Sequence, residues 1–171
     1  MPLHRSSHFG AMELHSPDKR TYQLLGEQGQ ELGRLEYPKW YSMTADILLP
    51  EGVYQVRSEG TWGVSIGVRF NEVLIWKMKM AWNGDVLFQR EGDPDQSMLL
   101  KSRGFWRERY VITDQAGEER AQLKPSMNWR SMRMKFDLDH PAEPPAEPLH
   151  ILMAVYAVNY LYAMSAGAVA V

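Results

Sequence analysis

Apolar and polar residues alternate along the middle of the chain. Trp62, Val64, Ile66, Val68 and Phe70 are interleaved with Gly63, Ser65, Gly67 and Arg69. Leu74, Trp76, Met78 and Met80 alternate in the same way with Val73, Ile75, Lys77 and Lys79. A period of two puts one face of an extended strand on a core and the other outward. The stretch Trp82-Asn83-Gly84-Asp85 predicts a tight type I′ hairpin, whose two central residues need positive φ. Val86 to Gln89 is then the return strand. Gly92 to Asp95 reads as a turn, Met98 to Lys101 as a short strand and Phe105 to Thr113 as a long one. Helical spacing is absent between residues 11 and 138, so this whole region reads as strands.

The last 23 residues, Leu149 to Val171, break the pattern, for they contain no Lys, Arg, Asp or Glu. They follow a proline-rich stretch, Asp139 to Pro148, read as a crossover. An uncharged helix of this length, about 34 Å at ~1.5 Å per residue, suits either a bilayer or the middle of a domain. Its first half carries bulky Leu149, Ile151, Leu152, Met153, Tyr156 and Tyr160. Its second half is small: Ala163, Ser165, Ala166, Gly167, Ala168 and Ala170. Such a taper would match a narrowing lumen.

An internal repeat orders the strands. Tyr22, Leu24, Gly29, Glu31, Gly33 and Leu35 correspond at one offset to Tyr110, Ile112, Gly117, Glu119, Ala121 and Leu123. One residue of slippage later, Trp40, Ser42 and Met43 match Trp129, Ser131 and Met132. Ile47 and Leu49 then match Phe136 and Leu138, and Pro38 and Pro125 precede the two tryptophans. The expected fold is mainly β: a closed barrel of roughly twelve strands in two similar halves, enclosing the C-terminal hydrophobic helix. A barrel that wide has a lumen that facing side chains cannot fill, and a helix apolar on every side can. The expected organisation is a flexible arm over residues 1–10, then one domain over 11–171. Within it, strands occupy 11–138, the crossover 139–148 and the central helix 149–171.

These features carry a family resemblance. The duplicated Tyr-x-Leu/Ile-x4-Gly-x-Glu hairpin, the Trp-x-Ser-Met element and the tail Leu149 to Val171 resemble the tubby C-terminal-like superfamily, which includes the phospholipid scramblases. The resemblance covers Ala11 to the end. It implies a twelve-stranded barrel around a hydrophobic helix, and lipid association as a class of function. It transfers no functional residue, because no phosphoinositide-binding Lys/Arg pair of the tubby proteins maps onto a position here. The cysteine-rich and calcium-binding segments associated with scramblases are missing.

Composition narrows the chemistry. A net charge of −2 exerts no overall pull on nucleic acid or anionic lipid. No nucleic-acid partner is expected, and the expected partner is a protein or an anionic lipid surface. Without cysteine there is no disulfide framework, thiolate metal site or Cys nucleophile. The first ten residues lack the apolar run of a signal peptide, and a cytoplasmic, membrane-peripheral location is expected. Walker, dinucleotide and HExxH signatures are absent, so no cofactor and no catalytic residues are assigned. Ser42 and Ser131 lack the surroundings of a nucleophile. His4, His8, His15 and His150 have no ligand spacing. Asp137, Asp139 and His140, like Asp93 and Asp95, read as loop residues rather than metal ligands. Trp62 and Trp76 read as core, and Asn159 should find a hydrogen-bond partner inside the tail's surroundings.

The candidate binding residues are basic pairs two positions apart, so that both members share a sheet face. They are Lys77 with Lys79, Arg107 with Arg109, and Arg133 with Lys135. Brought together, they would hold phosphate-type head groups through charge-assisted hydrogen bonds. The leading expectation is a non-enzymatic binding or scaffolding barrel. One alternative is a tail-anchored protein with residues 149–171 crossing the membrane, supported by the small-residue pair Ala163 and Gly167. Its flanks carry no Lys or Arg, and His150 and Asn159 suit hydrocarbon poorly. The other alternative is a small-molecule carrier or enzyme using the barrel mouth. A pocket with convergent ionisable groups would favour it.

Overall fold

The computed structural model describes residues 11–39, 43–59, 65–104, 109–128, 133–139 and 146–165. Twelve strands follow one another: β1 Glu13–Asp18, β2 Thr21–Leu25, β3 Glu31–Glu36, β4 Ala45–Leu49, β5 Gly52–Glu59 and β6 Ser65–Phe70 in the first half. The second half has β7 Val73–Met80, β8 Val86–Arg90, β9 Met98–Arg103, β10 Arg109–Thr113, β11 Glu119–Asn128 and β12 Arg133–Asp139. Each strand is hydrogen-bonded to the next, antiparallel throughout, in the order β1 to β12. The curving sheet brings β1 against β12 without a ladder between them, so the barrel is nearly closed. Tyr22 helps bridge this seam. Its hydroxyl donates to the Met134 carbonyl (3.2 Å) and its ring meets Phe136 edge-on at 5.6 Å.

The helix α1, Pro148–Ser165, starts with proline, which costs nothing in a first turn that has no partner for its N–H. From Ile151 to Val158 every residue is at most 1% exposed. Two full turns buried all round place α1 in the lumen, since a helix lying on the outside of a sheet would keep an exposed face. Alternate strand positions supply the other side of this core, among them Leu24, Leu35, Ile47, Val68, Met78 and Phe88. Among the described residues, no helix is long and apolar enough to cross a membrane. Burial ends at Tyr160; Leu161 to Ala163 are half-buried and Met164 and Ser165 exposed. The expected grip of a narrowing lumen on the small half of the tail is therefore not found over Ala163 to Ser165. Residues 166–171 lie outside the described residues.

The duplication extends to backbone detail. Tyr22 pairs with Leu35 and Leu24 with Gly33; Tyr110 pairs with Leu123 and Ile112 with Ala121. Both ladders shift register at the next position, between Leu24 and Leu25 and between Ile112 and Thr113. The turns match as well. Gly26 N–H donates to Gln30 O and Gly29 N–H to Gly26 O; Asp114 N–H donates to Glu118 O and Gly117 N–H to Asp114 O. Gly29 and Gly117 sit at φ 75° and 81°, the left-handed position that closes a three-residue hairpin loop. The third strands differ from expectation. Leu35 pairs with Ile47, whereas Leu123 pairs with Leu138, so Leu138 and not Phe136 occupies the place of Ile47. β11 has ten residues against six in β3. A slip of two residues keeps every side chain on its face and frees Phe136 for the seam. The equivalence of Gly33 with Ala121 breaks for a reason too. A methyl group on Gly33 would lie 2.4 Å from the Leu49 side chain and 3.1 Å from that of Leu152 on α1.

Two turns correct the hairpin reading. At Trp82 to Asp85 only Gly84 has positive φ (87°). Ala81 N–H donates to Asp85 O and Gly84 N–H to Ala81 O, which makes a third three-residue loop of the same kind. The type I′ geometry falls instead at Asn71-Glu72, φ 49° and 67°, between β6 and β7. Asp137 and Asp139 are strand residues opposite Lys124 and Gln122, not loop residues. Phe105 to Glu108, Trp62 to Val64, Ser42, Ser131, His4, His8 and His140 lie outside the described residues, and so does Arg107.

Candidate functional site: one rim of the barrel

In an antiparallel meander, connections alternate between the two ends. The links β1–β2, β3–β4, β5–β6, β7–β8, β9–β10 and β11–β12 all belong to one end, called here the first rim. The C-terminal end of α1 points the same way. Tyr156 Oη donates to the Met43 carbonyl near the end of that rim's β3–β4 link, and Asn159 Nδ2 donates to Tyr37 Oη, at the link's start, at 3.2 Å. Asn159 thus has the partner that burial of an amide demands. Burial pushes the Tyr37 hydroxyl pKa well above the ordinary phenol range, so both groups stay neutral.

The candidate basic residues are spread over three strands but share an end. Lys79 is the last residue but one of β7, Arg109 opens β10 and Arg133 opens β12. Lys79 and Arg109 are exposed, and Arg103, at the end of β9, is exposed opposite Arg109. Asp85 accepts the Ser102 N–H through its side chain (3.1 Å), which ties the β7–β8 loop to the end of β9. Arg103 and Arg109 face each other at this end, whereas Lys79 is level with Leu87 and Leu99, further from the rim and separated from them by β8. Lys77 and Lys135 lie further along their strands. Lys77 is half-buried 3.8 Å from Glu91 on the far side, and exposed Lys135 is opposite Ser126. Arg103 Nη2 in turn lies 3.9 Å from a Glu119 oxygen. Of the candidate cations, Arg109 has a basic neighbour in the ladders, Arg103 opposite it on β9.

Sequence reasoning missed an exposed aromatic residue at this rim. Trp82, at the tip of the β7–β8 loop, is fully exposed at 106% of its reference area. Indole rarely remains in water without a use, since it carries the largest apolar surface of any side chain. A signal was available in the spacing. Five of the six tryptophans, Trp40, Trp62, Trp82, Trp106 and Trp129, have sequence positions between strands that join at the first rim. Trp82 alone of these is among the described residues; for the rest this is a statement of chain order. Trp76 is the sixth. It is buried in β7, edge-on to His150 at 5.0 Å, and is core as expected.

Charge follows the same division. The first-rim connections carry five Lys or Arg (Lys19, Arg20, Lys39, Arg107, Arg130) against Asp85 and Glu108. The connections at the opposite end carry eight carboxylates and no Lys or Arg. Arg20 Nη1 donates to the Pro38 carbonyl (3.1 Å), joining two first-rim links. Among the described residues no three His, Asp or Glu side chains gather as metal ligands. No family model, curated protein or solved structure matches the chain.

Proposed function

We propose that this protein is a non-enzymatic binding barrel whose first rim docks on an anionic lipid surface. The observation that carries the reading is Trp82, wholly exposed on the β7–β8 loop, with exposed Lys79 on the strand that enters the loop and exposed Arg103 and Arg109 at strand ends of the same rim. Indole rings favour the head-group layer of a bilayer, where an apolar body and a polar N–H are both accommodated. Nearby cations add attraction to phosphate and carboxylate head groups. The five-to-one placement of tryptophan residues the same way supports the reading, as does the resemblance to the tubby-like superfamily. The exposed Met164 on the last turn of α1 adds apolar surface at that end. The helix would serve as filling for the barrel and not as a span.

Sedimentation with vesicles tests this. The chain is expected to pellet with phosphatidylcholine vesicles containing phosphatidylserine, and much less with phosphatidylcholine alone. Removing both cations in R103Q/R109Q should weaken binding about fivefold per charge at low salt. Trp82→Ser should weaken it at least as much, with unchanged melting, because the ring has no packing to lose. Binding that ignores Trp82 and both arginines would overturn the proposal.

A further inference from the structure

The opposite end of the barrel holds a cavity of ≈ 500 Å³ at the N-terminus of α1. Its deeper wall is apolar. Leu149 and Trp76 are buried there, and Leu32, Leu49 and Ile75 are half-buried. Its lip is charged: Glu31, Glu51 and Glu147 are exposed around one arginine, Arg90. Glu31 is already engaged by Arg34 Nε at 2.6 Å. Arg90 donates to the neutral Gln96, leaving Glu51 and Glu147 to set the sign beside it. Beyond the lip, the connections of this end contribute only carboxylates. A cleft of one charge sign with low-dielectric walls concentrates ions of the other sign.

His150 decides what kind of cation would fit. Its imidazole lines the cavity, packed against the edge of Trp76. Among the described residues it makes no hydrogen bond. Desolvation, helped by Arg90, lowers its pKa to about 4, so at neutral pH the ring keeps one nitrogen as an acceptor. The ring is half-buried and faces the cavity, so its acceptor nitrogen marks where a donor fits.

We propose that this cavity binds an amphiphilic primary amine, its ammonium N–H groups directed to the His150 ring nitrogen and the Glu51 and Glu147 carboxylates, and its apolar chain laid along Leu32, Leu49 and Ile75. The site is distinct from the first rim and goes beyond the lipid-docking reading. It takes a single small molecule in a pocket.

Titration calorimetry without lipid, on full-length protein, tests it with three eight-carbon probes: octylammonium, octyltrimethylammonium and octanoate. Octylammonium should bind best. The trimethyl compound, lacking N–H donors, should bind several-fold more weakly, and octanoate should not bind. E51Q/E147Q should lower octylammonium affinity by about fivefold per charge if each acts like a surface charge near a counter-ion. His150→Phe, which keeps the contact with Trp76, should remove the preference for octylammonium over octyltrimethylammonium. Trp82→Ser should leave all three titrations unchanged, which separates this site from the rim. Octanoate binding as tightly as octylammonium would overturn the proposal, and so would an amine affinity indifferent to Glu51, Glu147 and His150.

Discussion

The two ends of the barrel are built from the same kind of connection and carry opposite chemistry. One end has only carboxylates among its connecting charges, with tight turns at Gly29, Gly92 and Gly117. The other has a basic excess, and all five of the tryptophans that fall between strands. The axial helix agrees with both. Its N-terminus, with the positive end of the helix dipole, opens among acids, and its C-terminus points to the basic rim. Strand order alone forces the alternation of ends; it does not force the charges to segregate. A barrel evolved only to be soluble would mix both signs over both ends. The difference teaches that the two ends offer different chemistry, and the proposals above give each a separate task.

The largest way to break the comparison is to remove what both ends share. A chain ending at Asp139 lacks ten buried helix side chains. At about 1.5–3 kcal/mol for each large apolar side chain, their loss exceeds the net stability of about 5–15 kcal/mol typical of a domain. The expected outcome is aggregation of the truncated chain where the full chain is folded without detergent, read by circular dichroism and gel filtration. A soluble, cooperatively melting truncation would show that the barrel stands without its filling.

A pH scan compared between the native chain and His150→Phe addresses the acidic end. His150 has a folded pKa of about 4 against an ordinary value of 6.5. Its neutral form is favoured by folding, so its contribution is fully present above pH 6.5 and is lost as pH falls from 6.5 toward 4. The expected loss is on the order of 3 kcal/mol. Melting temperature should fall across that window in the native chain, and His150→Phe should flatten that part of the curve. An unchanged slope would mean that the imidazole is already solvated. Asp46, next to the first rim, has a carboxyl pKa raised by desolvation and titrates in both chains, so the difference between the native chain and His150→Phe isolates the acidic end.

The smallest test concerns a turn at the acidic end. Glu72 occupies the left-handed region at φ 67°, where a side chain costs about 1–2 kcal/mol that glycine avoids. Part of that gain is offset by the greater freedom of glycine in the unfolded chain. Glu72→Gly should raise stability by about 0.5–1 kcal/mol in urea denaturation, leaving vesicle binding at the first rim untouched.

Much of the fold was legible in the sequence because period two and a charge-free tail are local signals with few physical solutions. Strands that alternate, a repeat that preserves Tyr, Gly and Glu at fixed spacing, and a helix that cannot face water together leave little besides a filled barrel. Glycine also announced two of the turns. The turn at Asn71-Glu72 was not legible, since neither residue is the glycine that positive φ favours, and Asn83-Gly84 offered a better pattern. The two-residue slip of β12 was hidden because it leaves the inside–outside pattern unchanged. The sites were legible least. Lys79 and Arg109 could be named as exposed cations, but the exposure of Arg103 and Trp82 was not read.

What the sequence determined by itself was which residues turn inward and which segment could fill the core, because burial is decided by side-chain polarity and backbone period. Which residues meet was decided only by the tertiary structure. Wrapping the sheet sends alternate connections to opposite ends, and neighbours in space then come from loops some twenty residues apart. His150 shows the same division. Its position beside an uncharged tail was plain from the chain, whereas its loss of solvent, its contact with Trp76 and its place at the floor of an acidic mouth exist only once β7 and the helix are packed together.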